Sequence, residues 1–110
     1  MYMSIVESEK EIEKAFDAFY GAYKSSLLAI ERQWQNAFEA SRKSGMSLKS
    51  LVRTAALMSS STKKDLEGDI NRFLYVYFRN KPEELHEEVI EICKIAVKNE
   101  IYKEVDRIFD

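Results

Sequence analysis

The sequence is poor in the residues that cross-link a chain or interrupt a helix. Its 110 residues include one cysteine, one histidine, one proline and three glycines. A single cysteine excludes an intrachain disulfide and favours a reducing, intracellular compartment. The scarcity of proline and glycine leaves few places at which a helix has to end.

Long hydrophobic runs are also missing. The longest uninterrupted apolar run is residues 73–78, whereas a membrane-spanning helix needs about 20 apolar residues. Residues 1–14 carry acidic side chains and lack the apolar core of a signal peptide. We therefore expect a cytoplasmic protein that does not contact a membrane.

The sequence does contain enough apolar material for a folded core. Hydrophobic residues make up 45% of the chain, which excludes a disordered protein. Apolar residues recur every three or four positions, the period of an α-helix. Neither repeats nor linkers divide the chain. We therefore predict one all-α domain over residues 1–110, a bundle of four helices or possibly five.

The first predicted helix is long, from about residue 5 to residue 43. Ser4 and Glu7 form a capping-box pattern, and Gly45 is placed to end the helix. Such a helix is roughly 55 Å long, more than a compact domain of this size can cover. Its apolar stripe consists of Ile5, Ile12, Phe16, Phe19, Tyr23, Leu27, Ile30, Trp34 and Phe38.

Small residues lie on the face of this helix opposite the apolar stripe. They are Ala18, Gly21, Ala22, Ser25 and Ala29. Small side chains allow another backbone to approach closely. Two interpretations remain open, a helix central in its own bundle and a helix that mediates self-association.

The rest of the chain suggests shorter helices. Ser47 can cap a short second helix that ends near Met58, followed by a polar hinge at residues 59–62. The pattern from Thr62 to Asp65 can open a third helix that continues to about Arg79.

Asn80, Pro82 and Glu83 mark the start of a C-terminal helix. Its apolar stripe begins with Leu85, Val89, Ile92 and Ala96, but Ile101, Val105 and Ile108 fall on the other side. Either the helix breaks near residues 98–99, or its tail meets a different partner. We therefore expect a homodimer formed through the first helix and the C-terminal segment.

Charge is strongly segregated along the chain. Residues 40–64 contain no acidic side chain and have a formal charge of +6, whereas the other 85 residues sum to −8. Such a window is typical of a surface that binds an anion. The candidate residues for binding nucleic acid or another polyanion are Arg42, Lys43, Lys49, Arg53, Lys63 and Lys64.

These six cations differ in how much they need a functional explanation. Arg42 and Lys43 fall in the last turn of the first helix, where the helix dipole favours cations. Lys63 and Lys64 would open a helix, where cations are disfavoured. An ordinary solvated basic face and contact with an acidic protein surface both remain open. A helix-turn-helix over residues 48–78 is disfavoured, because its turn lacks glycine and acidic residues follow Lys64.

Catalytic and metal-binding patterns are weak. Glu83 and His86 have the spacing of a metal-ligand pair, but a di-iron site needs two such pairs. Cys93 lies beside an apolar stripe and is expected in the core. The helical spacing of Trp34, Tyr23 and Tyr77 likewise favours the core or an interface over base stacking. We expect neither enzymatic activity nor a metal or cofactor.

The sequence thus predicts a small accessory or regulatory protein that presents residues 42–64 to nucleic acid or another polyanionic partner. The alternative is a protein-binding adaptor, inhibitor or chaperone-like bundle with no role on nucleic acid.

Overall fold

The protein consists of three α-helices over the residues that the structure describes. The computed structural model describes residues 5–79 and 87–110, with side chains from residue 9 onward. The helices are α1 (Ile5–Lys43), α2 (Leu48–Arg79) and α3 (Glu87–Ile108). The all-α class is confirmed, as are the bounds of the first helix. The count of four or five helices is wrong, because α2 is one unbroken helix where two were expected.

The turn between α1 and α2 follows the local sequence closely. Gly45 has a φ of 88°, in the left-handed region that glycine adopts without strain. The Met46 amide donates to the Ser41 carbonyl and the Gly45 amide to the Arg42 carbonyl, which together form a Schellman motif. Ser47 Oγ then accepts a hydrogen bond from the Ser50 amide at 3.2 Å and caps α2. Both boundary predictions are confirmed.

Residues 59–62 do not form a hinge. Ser59 is buried inside the continuous helix α2, and its hydroxyl donates to Asp106 on α3 at 2.7 Å. A serine with such a partner is satisfied within a helix and does not need to end it. Thr62 and Asp65 therefore lie in the middle of a helix and do not start one.

The C-terminal helix is also continuous, without a break at residues 98–99. Its buried stripe consists of Cys93, Val97, Ile101, Val105 and Ile108. Ile92, which the sequence placed in the core, is 64% exposed. Because the tail packs inside its own chain, the reason for assigning self-association to the C-terminal segment no longer holds. The predicted helix start at Asn80, Pro82 and Glu83, the stripe residue Leu85 and the cap at Ser4 lie outside the described residues.

Cross-helix contacts define how the helices run. Trp34 on α1 packs against Phe109, which directly follows α3, with ring centroids 5.5 Å apart and the rings tilted by 60°. Glu67 of α2 pairs with Lys98, while Ser59, nearer the start of α2, contacts Asp106. Hence α3 runs antiparallel to α2, and its C-terminal end lies beside Trp34 and Ser59. The first turns of α2 and the last turn of α1 extend beyond the C-terminal end of α3.

The core is the seam in which the three helices meet. Ala15 and Phe19 of α1, Ile70 of α2 and Val97 of α3 are almost fully buried. The rings of Phe19 and Phe73 meet edge to face at 5.4 Å, which joins α1 to α2. The predicted stripe of α1 is thus confirmed as the core face from Ile12 to Phe38, with Trp34 buried and Tyr23 half-buried. The side chain of Ile5 lies outside the described residues.

Candidate polyanion-binding surface

The continuity of α2 places three of the six candidate cations on one outward stripe. Successive residues of an α-helix turn by about 100°, so Arg53 and Lys64, eleven positions apart, differ by only about 20°. Lys49 lies one turn before Arg53. These three residues, here called the cation stripe, span about 22 Å along α2. All three are exposed.

The cation stripe is not neutralised by the described part of the chain. Among the described residues, no carboxylate lies within salt-bridge distance of Lys49, Arg53 or Lys64. Two acids near the stripe are engaged elsewhere, because Glu67 pairs with Lys98 at 3.3 Å and Asp106 with Lys63 at 2.7 Å, while Asp65 follows Lys64 directly and forms no ion pair with it. The positive charge of the stripe therefore remains available to a partner.

Lys63 has a structural role instead. Its Nζ lies 2.7 Å from Asp106 Oδ1 and 5.8 Å from the ring centroid of Tyr102, and its side chain is mostly buried. It joins α2 to α3 and points away from the cation stripe. Contrary to the sequence prediction, Lys63 and Lys64 also do not open a helix, because both lie in the middle of α2.

Arg42 and Lys43 lie at the end of α1, as the sequence predicted. Arg42 forms an exposed ion pair with Glu39 at 3.5 Å, one turn earlier, which adds little to stability. Lys43 is exposed and has no carboxylate partner within the described part of the chain. Both can supplement a partner bound near the α1–α2 turn, but they are not on the cation stripe.

Apolar residues are exposed beside these cations in the first half of α2. Leu48, Val52 and Leu57 are 73%, 62% and 66% exposed. Leu57 falls on the cation stripe itself, between Arg53 and Lys64. Leu48 and Val52 continue the α2 face that α3 covers further along, beyond the point at which α3 ends.

A polar cluster at the α2–α3 contact was not found from the sequence. Asp106 Oδ1 accepts hydrogen bonds from Lys63 Nζ and Ser59 Oγ, and these two bonds lower the pKa of its carboxyl group. The members are 43 and 47 positions apart in the chain, so no local pattern signals them. The cluster joins α2 to α3, since Ser59 and Lys63 of α2 both bind the Asp106 carboxylate of α3.

The remaining candidates for chemistry are the Cys93 thiol and the side chains that could bind a metal. Burial raises the pKa of the Cys93 thiol, with a smaller contribution from the charge of Glu11, which makes the reactive thiolate scarce. Within residues 5–79 and 87–110, no three side chains of His, Cys, Asp or Glu converge as metal ligands would. The Glu83–His86 pair lies outside the described residues. None of the described helices combines the length and apolar character that crossing a bilayer requires.

Comparisons of the chain with protein-family models, curated proteins and solved structures give no match. Function is therefore inferred from the residues of this chain alone.

Proposed function

We propose that this chain is a non-enzymatic accessory or regulatory protein that binds a polyanion, with nucleic acid as the partner, through Lys49, Arg53 and Lys64. The observation that carries the proposal is the alignment of three unpaired cations on one exposed stripe of a continuous helix. Phosphate contacts require Lys or Arg side chains that no neighbouring carboxylate neutralises. The acid-free window of residues 40–64 supplies this condition over the first half of α2.

The hydroxyl groups around the stripe support the same partner. Ser60 lies on the outward side of α2 between Arg53 and Lys64, and it is exposed. Serine hydroxyls donate hydrogen bonds to phosphate oxygens without adding charge. Arg42 and Lys43 would extend the contact at the α1–α2 turn.

Salt dependence of binding tests the proposal. Affinity for a generic RNA or DNA oligomer should fall as salt rises, with a slope of about −0.9 per phosphate contact on duplex DNA. Three contacts predict roughly a 40-fold loss between 50 and 200 mM salt. The triple variant Lys49→Gln, Arg53→Gln, Lys64→Gln should bind weakly and lose most of the salt dependence.

The matched control removes the same charge elsewhere. Lys24→Gln, Arg72→Gln, Lys103→Gln lowers the net charge by the same three units but leaves the cation stripe intact. If both triple variants lose affinity equally, binding reflects net charge alone. Absence of binding at low salt refutes a nucleic-acid partner.

A second candidate function rests on the exposed apolar residues. Leu48, Val52 and Leu57 add apolar area that a phosphate backbone does not use, whereas an acidic, amphipathic protein segment uses both the apolar and the basic groups. In that case the chain is a protein-binding adaptor, inhibitor or chaperone-like bundle. Leu57→Ser would then weaken binding as strongly as Arg53→Gln. On nucleic acid, only the arginine substitution should matter.

A further inference from the structure

The pair formed by α1 and α2 is covered by α3 on one side only. On α2, the residues with polar contacts to α3 include Ser59, Lys63 and Glu67. Met58 and Asp65 project more than a quarter turn away and line a groove of about 470 Å³ between α2 and α1. Trp34 and Phe109 form part of its floor. The bundle thus has three helices and an open position for a fourth.

Seven of the twelve residues that line this groove are apolar, and the others are Gln33, Ser41, Thr54, Thr62 and Asp65. Ile30 and Ala37 line it from α1, and Leu51 and Leu66 line it from α2. Met58 and, further along α2, Val76 are each more than 40% exposed on this side. A groove of this composition gains stability when another helix removes it from water.

The α1 edge of the groove is shaped for a close helix–helix contact. Its exposed residues, of which Gln33 lines the groove itself, recur at spacings of three or four, and none of them is charged: Ala18, Ala22, Ser25, Ala29, Gln33, Asn36 and Ala40. This run is about 33 Å long. A Cβ added at the neighbouring Gly21 would meet nothing within 4 Å, so no described residue packs on the helix at that position.

The exposed area of the chain exceeds that of a compact protein of the same mass and leaves room for a dimer interface. Its accessible surface is 7795 Å², whereas a compact protein of its mass exposes about 6300 Å². The excess, about 1500 Å², is larger than the roughly 800 Å² that each partner contributes to a standard interface. The radius of gyration, 17.1 Å, likewise exceeds the ~13 Å expected for a compact chain of this length.

Charges at the two ends of the α1 edge select an antiparallel partner. If two copies of α1 pack antiparallel about a two-fold axis near Leu27, residue n faces residue 54 − n of the other copy. Lys14 then lies beside Glu39 of the second copy. Lys14 and Glu39 differ by only about 20° around the helix, so both point toward the same contact.

We infer that a second copy of this chain docks in the α1–α2 groove, its α1 antiparallel to the first, so that α1, α2 and their mates form a four-helix core. The contact is isologous, as in most homodimers. Small side chains on α1 allow the two axes to approach to about 8 Å. The cation stripe lies on another side of α2 and stays exposed in the dimer.

Analytical ultracentrifugation over micromolar concentrations tests this inference. The expected mass is that of two 12.9-kDa chains. Ala29→Glu places a charge without a partner in the centre of the contact, and it should raise the dissociation constant at least about 30-fold, the effect of losing one strong interface residue. The matched control, Asn99→Glu on the outer face of α3, should remain dimeric. A monomer for the natural sequence at 100 micromolar would overturn the inference.

Engineered cysteines test the antiparallel geometry independently of Ala29. Ser26 lies next to the proposed axis, so Ser26→Cys should form a disulfide between copies. Ala40 would be roughly 40 Å from its mate, so Ala40→Cys should not. The natural Cys93 is buried and gives no background. A parallel pair would cross-link at both positions, and cross-linking at Ala40 would therefore overturn the inference.

Charge exchange gives a third readout. Lys14→Glu and Glu39→Lys should each weaken the dimer by placing like charges together, and the double variant should restore it. Restoration distinguishes a direct pair from a change in net charge. If the double variant is weaker than both single variants, the proposed register is wrong.

Discussion

Ser59 on α2 and Asp106 on α3 are joined by a hydrogen bond of 2.7 Å, although 47 positions separate them in the chain. The same carboxylate oxygen lies 2.7 Å from Lys63 Nζ. This contact explains why a polar tract can pass through the middle of a long helix. It joins α2 to α3 near the C-terminal end of α3.

Ser59→Ala should lower the free energy of unfolding by about 1 kcal/mol, because a part-buried hydrogen bond to a carboxylate is lost while Lys63 still holds Asp106. Urea unfolding followed by circular dichroism measures the effect as a lower midpoint with an unchanged slope. Ser60→Ala, one position further and exposed, should change stability by less than about 0.5 kcal/mol. Equal effects at both positions would show that the hydrogen bond contributes nothing specific.

Asp106 should make the fold sensitive to acid. The hydrogen bonds from Lys63 and Ser59 hold the pKa of its carboxyl below the ordinary value. The ionised form therefore stabilises the fold above the unfolded pKa of about 3.9. This contribution is lost as the pH falls through the lowered folded pKa.

The matching measurement is the melting temperature between pH 7 and pH 2, for the natural chain and for Asp106→Asn. The variant should be less stable at pH 7 and should lose less stability on acidification. Lys63→Gln should raise the pKa of the Asp106 carboxyl, as followed by NMR titration. An unchanged titration in that variant would contradict the assigned cause.

Ser60→Pro should be severely destabilising, because α2 is continuous at this point. Proline in a helix interior removes a backbone hydrogen bond and clashes with the preceding turn, at a cost of about 3 kcal/mol or more. At a hinge or in a first helical turn the same substitution would be tolerated. Thermal unfolding followed at 222 nm decides between these cases. A stable Ser60→Pro variant would restore the four-helix interpretation.

The errors of the sequence interpretation share a physical origin. Local signals located the end of α1 at Gly45 and the start of α2 at Ser47, because each depends on neighbouring residues. The polar tract around Ser59 resembled a hinge, since its partner on α3 is remote in sequence. The buried face of α3 was predicted on the wrong side of the helix because the sequence placed Ile92 in the core. Its hydrophobicity does not reveal that it is exposed in the fold.

The candidate site was predictable to the same extent. Exposure of Lys49 and Arg53 followed from their spacing on one helix. Lys64 joins them only because α2 does not break, and Lys63 leaves the group because Asp106 binds it. The charge pattern predicts neither outcome, because it does not show which carboxylates other helices place near each cation.

Cys93 should react slowly in the folded protein. Its side chain is 1% exposed, and burial raises the pKa of its thiol, so both access and thiolate are scarce. Modification by a disulfide reagent at pH 8 should become fast only in denaturant, and its rate should follow the unfolded fraction. Fast modification of the native protein would place Cys93 outside the core.

Glycines 45 and 68 should respond to alanine with opposite signs. Gly45→Ala forces a side chain into the left-handed φ of 88° and should cost about 1–2 kcal/mol, although no neighbouring atom lies within 4 Å of the new Cβ. Gly68 lies inside α2 with equally open space around it. There alanine should stabilise the fold by up to about 1 kcal/mol through its higher helix propensity. Because neither substitution adds or removes a tertiary contact, the difference between the two urea midpoints isolates backbone conformation. If both variants shift in the same direction, the turn after α1 does not have the left-handed geometry that ends this helix.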